Sequence, residues 1–116
     1  MPKNVVWFDE VDKGDITLVG GKGANLGEMT KARFPVPNGF IVTSGAYFQF
    51  LKQNNLELKI KHLLNTLNTG NQHSLKQVSD LIKNEILAGD MSQELILEIY
   101  SAYKKLDGKL TDPLVA

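Results

Sequence analysis

The sequence contains no cysteine, so disulfide staples and thiolate metal sites are excluded. It also lacks an excess of charge, since 13 basic side chains face 13 acidic ones. A formal net charge of zero argues against a general nucleic-acid binder, which needs a basic footprint, and against a polybasic membrane-surface protein. No apolar run approaches the roughly 18 residues of a membrane span. Near the amino terminus, the apolar patch Val5-Val6-Trp7-Phe8 is followed at once by Asp9 and Glu10, which is too short for the core of a secretory signal. These absences lead us to expect a cytoplasmic protein with neither nucleic acid nor membrane as partner. What is present is a chain of 116 residues, 42% hydrophobic, about the size of one ordinary domain and able to bury a core.

Val5-Val6-Trp7-Phe8 is rich in β-formers and predicts a strand. Asp12-Lys13-Gly14-Asp15 carries turn chemistry, and Ile16 to Val19 reads as a second extended segment or a loop. A short helix is expected to open at the glycine cluster Gly20 to Gly23, because Ala24, Leu26, Met29 and Ala32 are roughly helix-spaced. Gly27 weakens that helix by about 1 kcal/mol relative to alanine, or serves close packing against a neighbour. Pro35 and Pro37 exclude helix, Asn38-Gly39 signals a turn, and Phe40-Ile41-Val42-Thr43 predicts a buried strand. Thr43 or Ser44 can cap the helix that follows.

From there the chain turns helical. Leu56, Ile60, Leu63, Leu64 and Leu67 form one stripe. Leu75, Val78, Leu81, Ile82 and Ile86 form a second, opened by Ser74-Leu75-Lys76-Gln77 at capping-box spacing. A third comprises Leu95, Ile96, Ile99, Tyr100, Tyr103 and Leu106, with Asp90 or Ser92 as its start. Trp7, Phe8, Phe40, Tyr47, Phe50, Tyr100 and Tyr103 are expected in or at the edge of the core. Thr111-Asp112-Pro113 reads as a turn, and Leu114-Val115-Ala116 opens an apolar run expected to continue beyond the chain. The expected fold is α+β, a single unit over residues 1–116. It has a strand and glycine-loop region at 1–43, a helical region at 44–108, and the start of a truncated strand at 109–116.

Gly20-Gly21-Lys22-Gly23 combines three ingredients of a phosphate site. Glycines let main-chain N–H groups approach an anion, a helix start adds partial positive charge, and a lysine adds a full mobile one. It is not a Walker A loop, because Ile16 and Gly23 stand where glycine and Ser or Thr are required. It also misses the dinucleotide fingerprint, since Leu26 replaces the third glycine, although Gly21-Lys22-Gly23 with Gly27 is a looser variant. By spacing alone, a tight turn with a solvated lysine fits as well as a phosphate loop.

A second stretch adds to the first. Val19-Gly20-Gly21-Lys22-Gly23-Ala24-Asn25-Leu26-Gly27-Glu28-Met29, followed by Phe34-Pro35-Val36-Pro37-Asn38-Gly39-Phe40-Ile41-Val42-Thr43 and Ala46-Tyr47, resembles the opening of the phosphoenolpyruvate synthase and pyruvate phosphate dikinase family. Rifampicin phosphotransferases share the first stretch. The resemblance covers about residues 5 to 51. It implies the N-terminal subdomain of an ATP-grasp-like nucleotide-binding domain, in which Lys22 contacts ATP phosphates and Gly20, Gly21 and Gly23 shape the loop. Asn25 and Glu28 match the motif too, with Asn25 a further ATP-binding candidate, although capping and packing roles serve both as well.

The resemblance implies ATP and Mg2+ as cofactors. The full enzyme would pass a phosphoryl group through a phosphohistidine to pyruvate, giving phosphoenolpyruvate. Family members continue past a segment like Asp112 to Ala116 into a Val-Arg-Ser-Ser motif whose arginine binds ATP. The metal ligands, the phosphohistidine domain and the pyruvate barrel lie further on. The rest of the parent chain is therefore an expected partner, and this piece alone is expected to be inactive, with no catalytic residue and no metal ligand of its own. His62, in a leucine-striped helix, and His73, in a polar loop, read as structural or solvated. Phosphoenolpyruvate synthase fits the spacing of the two motifs best. Rifampicin phosphotransferase, pyruvate phosphate dikinase or a standalone non-enzymatic nucleotide-binding module are the alternatives.

Overall fold

A computed structural model describes residues 3–68, 70–107 and 114–115. The expected turn at Thr111-Asp112-Pro113 and the last residue Ala116 lie outside the described residues. The chain divides into two compact units, one of Met1–Tyr47 with Ser92–Ala116, the other of Phe48–Met91. The architecture is mixed α+β.

In the first unit a three-stranded sheet runs in the order β1 (Val5–Trp7), β2 (Gly39–Val42), β3 (Leu114–Val115). β2 pairs antiparallel with β1, with Val6 opposite Ile41 and Trp7 opposite Phe40. It pairs parallel with β3, with Phe40 opposite Val115. As the central strand, β2 is buried on both faces, which explains its unbroken apolar run. Alternation along the strands then sorts side chains into two layers. Val6 and Ile41 join Phe8, Val11, Val19 and Ala24 on the face covered by α1 (Ile16–Lys31). Phe40 packs with Ala102 and Leu106 of α5 (Gln93–Asp107) on the other face, flanked by Val5, Trp7 and Ile99. The Trp7 and Phe40 rings meet edge to face with centroids 5.6 Å apart.

Three local readings are corrected here. Ile16 to Val19 is helical, because a 3-10 turn at Lys13–Asp15, with Asp12 accepting from the Gly14 N–H at 2.8 Å, feeds straight into α1. The buried face of α5 is Leu95, Ile99, Ala102 and Leu106, so Ile96, Tyr100 and Tyr103 are exposed. Ala102, at full helical register with Leu95 and Leu106, was hidden in the sequence by its small size. Tyr47 is also exposed rather than core. Thr43 is the one buried polar side chain among the described residues. Its hydroxyl donates to the Lys3 carbonyl at 2.8 Å and accepts from the Ala46 N–H at 3.3 Å, capping α2 (Ser44–Gln53) as expected.

The second unit is helical. α3 (Leu56–Asn65) packs against α4 (Gln72–Leu87), with Leu56 and Val78 buried and Ile60, Leu63, Ile82 and Ile86 half-buried. Asn55, at φ 56°, makes the left-handed turn into α3. α4 begins earlier than the Ser74 capping box implied. Asn71 accepts from the His73 and Ser74 N–H groups, while the Ser74 hydroxyl accepts from the Asn68 N–H. Asn71 caps the helix one turn earlier, and the Ser74 hydroxyl serves the preceding loop instead. Asn54 and the Asp90 backbone exchange two hydrogen bonds of 2.8 and 2.9 Å, and a methyl on Gly89 would lie 2.6 Å from the Phe50 ring.

Two outcomes follow for the first unit. Leu106 is fully buried, so Leu106→Ala should cost about 2–5 kcal/mol in urea unfolding. Glu10 accepts from the Trp7 N–H at 2.8 Å and pairs with Lys3 at 3.0 Å. The backbone bond first, and the lysine second, hold its carboxyl below its ordinary value. A depressed carboxyl stabilises the fold above its unfolded-state pKa and loses that contribution as the pH falls through its folded value. Replacing Glu10 by Gln should therefore flatten the loss of stability in acid, measured by urea midpoints across pH 6 to 3.

Candidate functional site

α1 is not one continuous helix. At Gly20 the backbone takes φ 76° and ψ 173°, a conformation open essentially to glycine alone. The helix turns once from Ile16 to Val19, breaks at Gly20, and restarts through Lys31 with helical dihedrals. The glycine cluster therefore does open a helix, as its sequence suggested, although a turn of helix also precedes it.

The break changes the hydrogen-bond accounting. In an unbroken helix the Thr17 carbonyl would accept the Gly21 N–H. Here it accepts the Ser44 hydroxyl at 2.6 Å. Ser44 follows the strand made by the second motif and Thr17 precedes the first, so this bond joins the flanks of the two motifs. A restarted helix carries orphan N–H groups in its first turn and the positive end of its dipole there.

The candidate residues take different positions. Gly20 and Gly21 are exposed, and a methyl on either would meet nothing within 4 Å. Lys22 is exposed in the first turn after the break, and none of the ion pairs among the described residues involves it. Asn25 lies one turn on, also exposed. Gly23 is different, being buried inside the helix, where a methyl would sit 2.9 Å from the Val19 Cβ and 3.0 Å from the Ile41 Cδ1. It lets α1 lie flat on the sheet. Gly27 is likewise a packing glycine, because a methyl there would come within 2.3 Å of the Val11 carbonyl oxygen. Glu28 is engaged, accepting from the Lys13 N–H at 3.1 Å.

Beside this lies an acidic turn. Asp12 accepts from Gly14 and pairs with Lys31 at 3.2 Å, while Asp15 accepts from the Asp12 N–H at 3.0 Å. The Gly14 N–H chiefly, then Lys31, hold the Asp12 carboxyl below its ordinary value. These carboxylates are structural. No group of three or more His, Asp or Glu side chains among the described residues is placed to hold a metal. His62 and His73 are both exposed, on α3 and α4.

The larger concavities lie elsewhere. Two open grooves of about 510 and 540 Å³ follow β1 and α5, lined in common by Val5, Trp7, Glu94 and Glu98. The glycine cluster, in the helix on the opposite face of the sheet, lines neither. The sequence pattern singled out Gly20 and Lys22 as candidates. It missed Ser44 as the partner of Thr17, a contact 27 positions apart with no local signature.

An α+β module with a glycine-broken helix laid on a small mixed sheet, and an unpaired lysine at the restart, is the class that fold and site define. The family model described as pyruvate phosphate dikinase, AMP/ATP-binding domain, matches residues 16–116, and the chain belongs to that family. Curated relatives agree. A probable phosphoenolpyruvate synthase of Staphylothermus marinus is 42% identical over 106 residues, covering 91% of this chain and 13% of that protein. One of Methanocaldococcus jannaschii is 40% identical over 104 residues, covering 90% and 9%. The phosphoenolpyruvate synthase of Aeropyrum pernix is 42% identical over 103 residues, covering 88% and 13%. The chain thus spans only a small part of the length of these relatives.

The Gly20 geometry separates two substitutions that look alike on paper. Gly20→Ala should destabilise the protein by about 1–3 kcal/mol through backbone strain. Gly21→Ala, at an open helical position, should stabilise it by about 0.5–1 kcal/mol by reducing unfolded-state freedom. Thermal and urea unfolding of the two variants reads both signs.

Proposed function

We propose that this chain forms one wall of the ATP phosphate site of a phosphoenolpyruvate synthase. The observation that carries this reading is the helix break at Gly20, which sets the exposed Lys22 in the first turn of the restarted helix. Backbone N–H groups around Gly21 would donate to phosphate oxygens, and the Lys22 ammonium would follow charge as it redistributes during phosphoryl transfer. Gly20 supplies the turn, and Gly21 keeps the approach open. Gly23 contributes indirectly by seating the turn on Ile41. The exposed amide of Asn25, one turn beyond Lys22, can donate to the same anion.

Support for ATP comes from the family description, and the names of the relatives favour a phosphoenolpyruvate synthase over a rifampicin phosphotransferase or a pyruvate phosphate dikinase. In this reading the chain is the N-terminal piece of an ATP-grasp-like domain in a cytoplasmic enzyme. That enzyme moves a phosphoryl group from ATP through a phosphohistidine to pyruvate. The piece supplies no catalytic group. Mg2+ would accompany ATP, but the described residues offer no donor set for it, so no step is derived through the metal. No helix among the described residues is long and apolar enough to cross a membrane.

Titrating ATP into 15N-labelled protein tests the reading. Amide shifts should centre on Gly20 to Asn25, with affinity weaker than micromolar because one wall holds only part of the ligand. Lys22→Ala should weaken binding by about tenfold, the scale of one charge-assisted hydrogen bond. Shifts centred elsewhere, micromolar or tighter binding, or an unchanged affinity in Lys22→Ala would contradict it.

A further inference from the structure

The second half of the glycine motif has no exposed role, and its contacts say what it does. Between Val11 and Gly27 the chain makes the acidic 3-10 turn, forms one helical turn that buries Val19, breaks at Gly20 and returns along α1. The two ends of this excursion are fastened together. The Val11 carbonyl sits where a Gly27 side chain would begin. The Lys13 N–H donates to the Glu28 carboxylate at 3.1 Å, across 15 positions of sequence. Lys31 reaches Asp12 at 3.2 Å. Gly20 therefore stands at the apex of a loop closed at its base. Such a closure removes freedom from every residue inside it, and the apex is where a strained dihedral needs that restraint.

We propose that Glu28 is a positioning residue for the Gly20 to Lys22 turn. By accepting the Lys13 N–H, its carboxylate closes the base of the loop and holds the apex in the shape that presents the Gly21 and Lys22 backbone to an anion. Glu28 itself touches no ligand. The Lys31 to Asp12 pair is an exposed ion pair of two flexible side chains and contributes little by itself. The Glu28 bond differs because its donor is fixed main chain and its acceptor is charged. Gly27 allows the two strands of the loop to come close enough for that bond to form. This inference rests on the phosphate-site reading for its purpose, but not for its geometry.

The test separates the two. In the full chain, Glu28→Ala removes the acceptor, whereas Glu28→Gln keeps an oxygen that can take the Lys13 N–H. Hydrogen exchange at the Ala24 to Gly27 amides, the first with carbonyl partners in the restarted helix, should rise about five- to tenfold in Glu28→Ala and return towards wild type in Glu28→Gln, with α5 amides unchanged in both. ATP-induced shifts at Gly20 to Gly23 should shrink in Glu28→Ala and recover in Glu28→Gln. Unchanged exchange at Ala24 to Gly27 in Glu28→Ala would overturn the proposal whatever ATP does. A rise spread equally over α5 would also overturn it, since it would mark a general loss of stability. If Lys22→Ala leaves the ATP titration unchanged while the exchange pattern appears as expected, the phosphate reading fails and the positioning geometry stands.

Discussion

The first unit depends on one backbone conformation. Gly20 holds φ 76° and ψ 173°, and the path of α1 on both sides follows from it. Without the break, the turn from Ile16 to Val19 would extend the helix in one line. With it, Val19 is buried among Val6, Phe8, Val11, Ala24 and Ile41, while Gly21 and Lys22 stay exposed. A side chain at Gly20 would meet no neighbour, so the requirement for glycine there is one of dihedral angle and not of space.

The other glycines of the motif answer different needs. Gly23 and Gly27 sit in ordinary helical backbone but leave no room for a methyl, one against Val19 and Ile41 and the other against Val11. The glycines thus divide by physical cause into a bend, an open approach and two close contacts. This division accounts for a helix that tolerates several glycines despite their propensity cost of about 1 kcal/mol each. Burial against the sheet offsets that cost, and the exposed start of the restarted helix is left available to a ligand.

Much of this was legible in the sequence. The strand at Val5, the buried strand at Phe40, the Thr43 cap and the helix opening at the glycine cluster follow from local pattern. So does the α+β class. Where the reading failed, non-local or size effects intervened. Ala102 on the buried face of α5 gave no hydrophobic signal, so the stripe rotated toward Tyr100 and Tyr103, which face solvent. Asn71 caps α4 one turn before Ser74, whose hydroxyl is taken by the Asn68 N–H of the preceding loop. At the candidate site, Gly20 and Lys22 were visible as a motif. The bond from Ser44 to Thr17 and the one from Lys13 to Glu28 were not, because nothing in a linear pattern brings those atoms together.

If the restarted helix at Gly20 receives phosphate and not the nucleoside, inorganic triphosphate and adenosine added separately to labelled protein will behave differently. Triphosphate alone should move the Gly21, Lys22 and Gly23 amide signals, and adenosine alone should leave them in place. Movement with adenosine, or none with triphosphate, would contradict phosphate binding there.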